Sequence, residues 1–433
     1  MEDRGAAPST APGVRAASSV AAALVAVNVV GYLVAVAAAR HLPTASYGEF
    51  TALLGGLLVA CVPAVALQAT VARAVAQRPA SELEGPRERA LLLRCAAVGM
   101  LSSGGAALAA PLVAAFLQIS VAGPLWLAAQ LAPFAVLAGA MGILQGAQRF
   151  AALATAVVAQ AVGKTFALLP LLRDRSPAAA LAALGVGTAA AAFVALLLVK
   201  KGVLLRRGAA GPTLGELPGR RELGAAVSGL LALLVLANLD LLLARNVLPA
   251  TESGRYAAGS VLAKAAFWLP QSIAVLVFPR LASSAANHQL LRRALGLVIG
   301  LGGLELLGCG LLAGPVLRLT FGQQYTSLAA IAPLYVVQGA ALAVLQLLVY
   351  AAIAARDPVT GRCIAAVVAL EAVVLLTVRP VTPTPVIVLA AGLAIALSAA
   401  LVWRAGVVRA SQWPASSQVR PTPTLTSSGT DNG

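Results

Sequence analysis

The chain has 433 residues, of which 60% are hydrophobic and only 11% charged, with a mean hydropathy of +0.90. Soluble domains carry about 25% charged residues, so the composition excludes a soluble globular protein and describes a polytopic membrane protein. The net charge of +16 brings nucleic acid to mind, but the basic residues sit mostly in short loops between apolar runs. That is the pattern of membrane topology signals, and no nucleic-acid partner is expected.

The N-terminal stretch MEDRGAAPSTAPGVRAASS is polar and rich in Pro and Ala. The apolar run that follows is long enough to span a bilayer and too long for a cleaved signal, so it reads as a first membrane helix. Windows of roughly 20 apolar residues then give twelve expected spans: 17–39, 50–72, 90–117, 125–147, 151–172, 178–199, 223–244, 256–278, 294–317, 329–354, 361–379 and 384–403. The 40 glycines and the many alanines suit close approach of helices in lipid, where small residues replace the hydrophobic drive. With the N-terminus inside, Lys and Arg divide 22 to 7 in favour of the inner side, which predicts two cytoplasmic termini.

The longest loop, KKGVLLRRGAAGPTLGELPGRR, divides the spans into six and six. The expected organisation is a cytoplasmic tail (1–16), an N-lobe (17–199), a cytoplasmic linker (200–222), a C-lobe (223–404) and a Pro/Ser/Thr-rich disordered tail (405–433). An internal repeat supports the division. Pro43, Gly48 and Phe50 return 206 residues later as Pro249, Gly254 and Tyr256. At 207 residues Pro63 meets Pro270, Arg73 meets Arg280, Arg149 meets Arg356, and Lys164 meets Glu371. Six helices per repeat is an even number, so the halves enter the membrane in the same direction, related by a pseudo-twofold axis along its normal. The expected fold is all-α, about twelve membrane helices in two parallel six-helix lobes around a central cavity.

Charged and polar residues inside spans mark candidate function, because exposing them to lipid costs several kcal/mol. Asp240 and Lys264 fall on the seventh and eighth spans. Ser260, Lys264, Trp268 and Gln271 share one helical face, either a cavity stripe that meets an anionic substrate or a structural surface whose lysine pairs with Asp240. On the tenth span Tyr335, Gln338, Gln346 and Tyr350 form a row of amides and phenols suited equally to sugar hydroxyls and to helix–helix hydrogen bonds. Gln160 and Lys164 on the fifth span, Asn28 and Tyr32 on the first, and Gln130 and Gln145 on the fourth are further candidates. Glu305 and Glu371 are lone acids in the ninth and eleventh spans. Each is a candidate for ion coupling or a hydrogen-bonded structural acid. Pro63, Pro170, Pro270 and Pro279 are expected to kink or break spans.

Enzymatic signatures are missing: there is no phosphate-binding Gly-rich loop and no HExxH, and only two histidines are present. Four cysteines without a CxxC (Cys61, Cys95, Cys309, Cys363) read as small apolar fillers. No catalytic residue, metal or cofactor is expected, and the chain reads as a transporter.

Several short motifs resemble one family. Asp240, Gly254, Tyr256 and Phe278-Pro279 lie at the spacing found around the seventh and eighth helices of polysaccharide biosynthesis membrane proteins. These include lipid-linked oligosaccharide flippases of the multidrug/oligosaccharidyl-lipid/polysaccharide exporter superfamily. Tyr47-Gly48, Gln145-Gly146 with Arg149-Phe150, and Phe321-Gly322 with Tyr325 are similar to other stretches of that family, over roughly residues 17 to 404. The resemblance implies translocation of a polyprenyl-diphosphate-linked glycan by alternating access, with Lys264 and Lys164 on the diphosphate and Arg40, Arg245 and Arg255 as supplementary cations at the outer rim. A polysaccharide polymerase or glycosyltransferases would be partners. Heavy use of Ala and Arg points to a GC-rich bacterium and so to its plasma (inner) membrane. Two alternatives stand beside this: an ion-coupled multidrug or cation antiporter of the same superfamily, and a non-transporting assembly partner.

Overall fold

The computed structural model describes residues 11–76, 85–205, 220–270, 288–354, 357 and 359–411. Gln271, Phe278, Pro279, Arg280 and Arg356 lie outside these, as do most of the expected linker and tail. The helices are α1 (Ala11–His41), α2 (Thr44–Ala60), α3 (Val62–Ala76), α4 (Gly85–Leu117), α5 (Ala122–Gly146), α6 (Phe150–Thr165), α7 (Leu168–Arg173) and α8 (Pro177–Leu205). The second half has α9 (Arg220–Val247), α10 (Ala250–Trp268), α11 (His288–Thr320), a 3-10 segment (Gln323–Ala330), α12 (Ala332–Ala354), α13 (Val359–Val378) and α14 (Pro383–Ser411). No strand occurs among the described residues. An apolar backbone in lipid has to satisfy its own N–H and C=O groups, and a helix does this within one segment.

Over its described residues each expected span lies on helix, the second and fifth on two helices apiece, and by length and composition ten helical stretches among the described residues can cross a membrane. The protein is a multi-pass membrane protein. Outside those ten are α9 and α10, which carry Asp240, Arg245, Glu252, Arg255 and Lys264. Some limits differ from the hydropathy windows because helices continue beyond the apolar run that starts them. The sixth helix extends to Leu205, and the last to Ser411. The eighth starts at Ala250, before the expected 256, because Pro249 sets an extended φ/ψ of −52°/146° and so caps its N-terminus.

Proline breaks appear where the missing N–H and the ring clash act on the preceding turn. The second span breaks at Cys61, between α2 and α3, just before Pro63, and α10 ends at Trp268 just before Pro270. The fifth span breaks between Thr165 and Leu168, a turn ahead of Pro170.

The repeat is visible in the packing. In the first half α4 packs on α5, α5 on α8 and α1 on α6; in the second, α11 packs on α12, α12 on α14 and α9 on α13. These are the same three pairings, one per lobe. Pro43 caps α2 with φ/ψ of −54°/146°, almost the conformation of its repeat mate Pro249. The lobes meet chiefly through α2, which packs on both α9 and α10. There the repeated glycines touch one another: a Cβ at Gly48 would lie 2.8 Å from the Gly254 nitrogen, and one at Gly254 would overlap the Thr44 carbonyl. Only glycine permits backbones this close. The main apolar core surrounds this crossing, with Tyr47, Phe50, Tyr256, Phe321, Tyr325 and Tyr335 fully buried.

Candidate functional site

The second lobe buries a polar cluster built from four helices. Asp240, on α9, is 3% exposed. Its Oδ2 accepts hydrogen bonds from the Tyr256 hydroxyl of α10 at 2.7 Å and from Gln338 Nε2 of α12 at 2.8 Å. Its Oδ1 accepts from the Leu241 N–H at 2.8 Å. Glu371 of α13 is 1% exposed, its Oε1 has no hydrogen-bond partner, and it lies within electrostatic reach of both Asp240 and Tyr256. Tyr335 of α12 completes the wall: its ring meets that of Tyr256 edge-on at 5.4 Å, an arrangement aromatic pairs favour. Gly259 makes room for it, since a Cβ there would overlap the Tyr335 ring.

Lys264 stands two turns beyond Tyr256 on α10, deep in the molecule yet partly accessible to solvent, and within electrostatic reach of Asp240. The expected Asp240–Lys264 ion pair is not formed; the carboxylate is bonded instead by Tyr256, Gln338 and the Leu241 amide.

In the first lobe Lys164 of α6 is likewise deep but partly accessible, with its Nζ 3.7 Å from where a Cβ on Gly31 of α1 would lie. Asn28 is half-buried one turn before Gly31, on the same seam. Neither lysine forms an ion pair among the described residues.

Other sequence candidates separate from these sites. The Ser260 hydroxyl donates back to the Ala257 carbonyl at 2.8 Å, a local helix bond. Trp268 packs against a separate apolar cluster with Phe267 and Leu348. Gln346 is buried and reaches only Tyr350, with Nε2 3.4 Å from the hydroxyl. Gln130 donates to the Leu181 carbonyl at 3.1 Å and so joins α5 to α8. Glu305 stands apart on α11, both of its carboxylate oxygens buried without a partner. Arg40 and Arg245 do not point free charge at the interior: each caps the end of a helix. Arg255 pairs with Glu252 one turn away on its own helix, at 2.5 Å. Sequence reasoning had not counted Tyr256 among the site residues, although the Gly-x-Tyr motif and its repeat mate Phe50 both marked the position.

Outside the membrane-spanning segments, Asp357 accepts two hydrogen bonds from the Arg404 guanidinium, each 2.9 Å, tying the loop before α13 to the last helix. Burial pushes its carboxyl up, but the bonds from Arg404, Thr360 and the Val359 N–H outweigh that and hold it at about 2.

Comparison with solved structures places this architecture. The chain matches "Lipid II flippase MurJ, inward closed conformation" with a TM-score of 0.65 at 13% identity, covering 89% of this chain and 87% of that one. An inward-facing multidrug resistance MATE family transporter of the MOP superfamily gives 0.61 at 11% identity, covering 89% of this chain and 96% of that one. The eukaryotic MATE transporter AtDTX14 gives 0.55 at 15% identity, covering 92% and 98%. No family model and no curated protein matches the sequence. The chain thus shares its fold with these solved structures, at sequence identities of 11–15%.

Proposed function

We propose that the chain is a flippase that moves a polyprenyl-diphosphate-linked oligosaccharide, or a related polysaccharide precursor, across a bacterial plasma membrane by alternating access. The observation that carries this is the pair of lysines. Lys164 and Lys264 occupy one lobe each, lie deep in the bundle with part of each side chain still accessible, and have no carboxylate bound to them among the described residues. An unpaired buried ammonium is costly, and a phosphate-bearing headgroup entering between the lobes supplies the missing countercharge to both. Lysine suits the task as a point charge with three rotatable donors. Asn28 and the unpartnered Gln338 amide oxygen offer hydrogen bonds to the glycan, and the lipid tail stays in the surrounding bilayer. The match to a lipid II flippase supports a lipid-linked cargo.

The acid pair supports a second reading. Two carboxylates, Asp240 and Glu371, are buried within electrostatic reach of each other, and a cation held between them would relieve their mutual repulsion. Such a site suits an ion-coupled multidrug or cation antiporter, and two of the structural neighbours are MATE transporters. The two readings make different use of the lysines.

The deciding experiment measures lipid-linked glycan in each leaflet of a deletion strain rescued with wild type or with Lys264→Ala. Accumulation on the cytoplasmic leaflet that only wild type relieves is expected. Normal distribution in the deletion strain, with redundant carriers removed, or full rescue by a well-folded Lys264→Ala protein, overturns the flippase reading. Loss of cationic-drug efflux on Asp240→Asn alone would then favour the antiporter.

A further inference from the structure

The rim at which α2 and α10 begin is closed by contacts that obey the internal repeat. Arg40, in the last turn of α1, crosses to the second lobe. Its Nε donates to the Thr320 carbonyl at 2.8 Å and its Nη2 to the Leu319 carbonyl, the last two residues of α11. Arg245, near the end of α9, crosses the other way. Its Nε donates to the Leu117 carbonyl at 3.2 Å and its Nη2 to the Gln118 carbonyl at 3.3 Å, at the end of α4. The repeat relates α1 to α9 and α4 to α11. The two contacts are therefore one interaction made twice: an arginine ending the first helix of each lobe forks onto the C-terminus of the third helix of the other.

The chemistry on both sides is matched. A helix ends with carbonyls that have no partner within the helix and with a partial negative charge. A guanidinium presents parallel donors in a fixed fork and cannot lose its charge. Further bonds flank each contact, with Asn246 Nδ2 donating to the Phe116 carbonyl at 2.5 Å and Gln324 Nε2 to the Ala39 carbonyl at 3.1 Å. Tyr47 of the first lobe meets Tyr325 of the second edge-on at 6.0 Å, and Glu49 of α2 lies within electrostatic reach of Arg245. The Gly48–Gly254 crossing sits directly behind.

We propose that Arg40 and Arg245 are a matched pair of latches that hold this rim shut, and that both have to release before the lobes part here. By the charge split along the sequence this is the outer rim, so the structure is the closed-outside member of the cycle. The latches differ in setting. Arg245 is 8% exposed whereas Arg40 is exposed, so the Arg40 contact is the more readily screened by salt. The proposal rests on the alternating-access reading in supposing that the rim opens, but not on what is carried.

The test therefore reads the opening itself, without substrate. The full-length chain, with its native cysteines replaced by alanine, carries Ser253→Cys as a reporter in lipid nanodiscs. Ser253 is 2% exposed and lies against Gly48 at the crossing, so a soluble maleimide reaches it only when the rim opens. Arg40→Gln/Arg245→Gln is expected to raise the labelling rate at least roughly tenfold, the effect of losing one to two kcal/mol of closure. Arg255→Gln, which removes a rim charge bound only within its own helix, is expected to leave the rate within about twofold. Labelling of the double variant at the parent rate with unchanged melting overturns the proposal, as does equal acceleration by Arg255→Gln. If the double variant does not fold, Arg40→Lys/Arg245→Lys replaces it. That variant keeps the charge without the fork, and an unchanged rate there is equally fatal. A rim that opens as expected in a protein that moves no glycan would leave the latch standing and remove only the proposed cargo.

Discussion

Where the second lobe places Asp240 and Tyr256, the first lobe, 206 residues earlier, places Val34 and Phe50, both buried in the apolar core. Lys264 is answered by the exposed Leu58, and Glu371 by another charge, Lys164, at 207 residues. Three helix pairings are common to both lobes, and this shared scaffold closes with apolar side chains at the Asp240 and Tyr256 positions. The Asp240–Tyr256 contact of the second lobe is therefore not a requirement of the shared scaffold. Buried polar networks put stability at risk and persist where they serve something else. The comparison separates what the bundle needs from what its chemistry needs, and it can be attacked from either side.

The largest effect is expected from replacing Asp240 with its first-lobe counterpart. Asp240→Val leaves the Tyr256 hydroxyl and Gln338 amide buried without their acceptor. It should cost ~2–4 kcal/mol of stability and abolish transport. Asp240→Val/Tyr256→Phe/Gln338→Leu removes the stranded partners too. It should recover most of the stability, because replacing a whole network with apolar groups is nearly neutral, while transport stays lost. Thermal unfolding of the purified variants beside a flux assay checks both. A triple variant no more stable than the single one would mean that the cluster is structural after all.

Lys164 approaches the same comparison from the other lobe. It has no carboxylate to lose among the described residues, so Lys164→Ala is expected to melt at or slightly above the wild-type temperature. Flux of a diphosphate-linked substrate should fall at least roughly tenfold, the loss of one point-charge contact. A melting temperature that drops steeply would reveal a structural partner for the lysine and weaken its role in binding.

How far the sequence shows this division follows from which interactions are local. Hydropathy is a local property, and the expected spans coincide with helices, broken where Pro63 and Pro170 disturb the preceding turn. The repeat was legible because Pro43 and Pro249 perform the same local task, capping a helix with the same φ/ψ. Asp240 and Lys264 announced themselves as charges in apolar runs. Their partners did not. The bond from Gln338 to Asp240 spans 98 residues, and the choice between it and Lys264 depends on how α9, α10 and α12 rotate against one another, which periodicity does not fix. Ser260 illustrates the same limit: it shares a face with Lys264, yet its hydroxyl is satisfied within its own helix. Arg40 and Arg245 looked like rim charges free for a ligand, because nothing in their surroundings along the chain reveals the helix ends they meet across the lobe boundary.

The first lobe has its own specialised contact, made of packing rather than polarity. Gly163 of α6 and Gly187 of α8 touch so closely that a Cβ on either would overlap the other's carbonyl. Their counterparts 207 residues on are Leu370 and Ala394. Gly163→Ala should force the helices apart and cost ~1–3 kcal/mol. Gly104→Ala, with nothing within 4 Å of the added carbon, should be neutral or stabilising by up to about 1 kcal/mol. Equal effects in unfolding experiments would dissolve the distinction between a packed seam and an open helix face.

The smallest expected effect concerns the Asp357–Arg404 pair, again confined to the second lobe, since Phe150 and Leu197 hold the corresponding positions in the first. The Asp357 carboxyl is held at about 2 in the folded protein, against an ordinary value of 3.8. A depressed folded value means that the stabilisation is complete above pH 4, fades as pH falls toward 2, and is gone once both folded and unfolded chains are protonated. Partial solvation on both sides limits the pair to ~1 kcal/mol. Between pH 5 and pH 2 wild type should lose that much more stability than Asp357→Asn, whose amide cannot titrate. Arg404→Gln should flatten the pH dependence in the same window. If all three melt in parallel, the loop before α13 is held by the Thr360 and Val359 bonds alone, and the last helix owes it nothing.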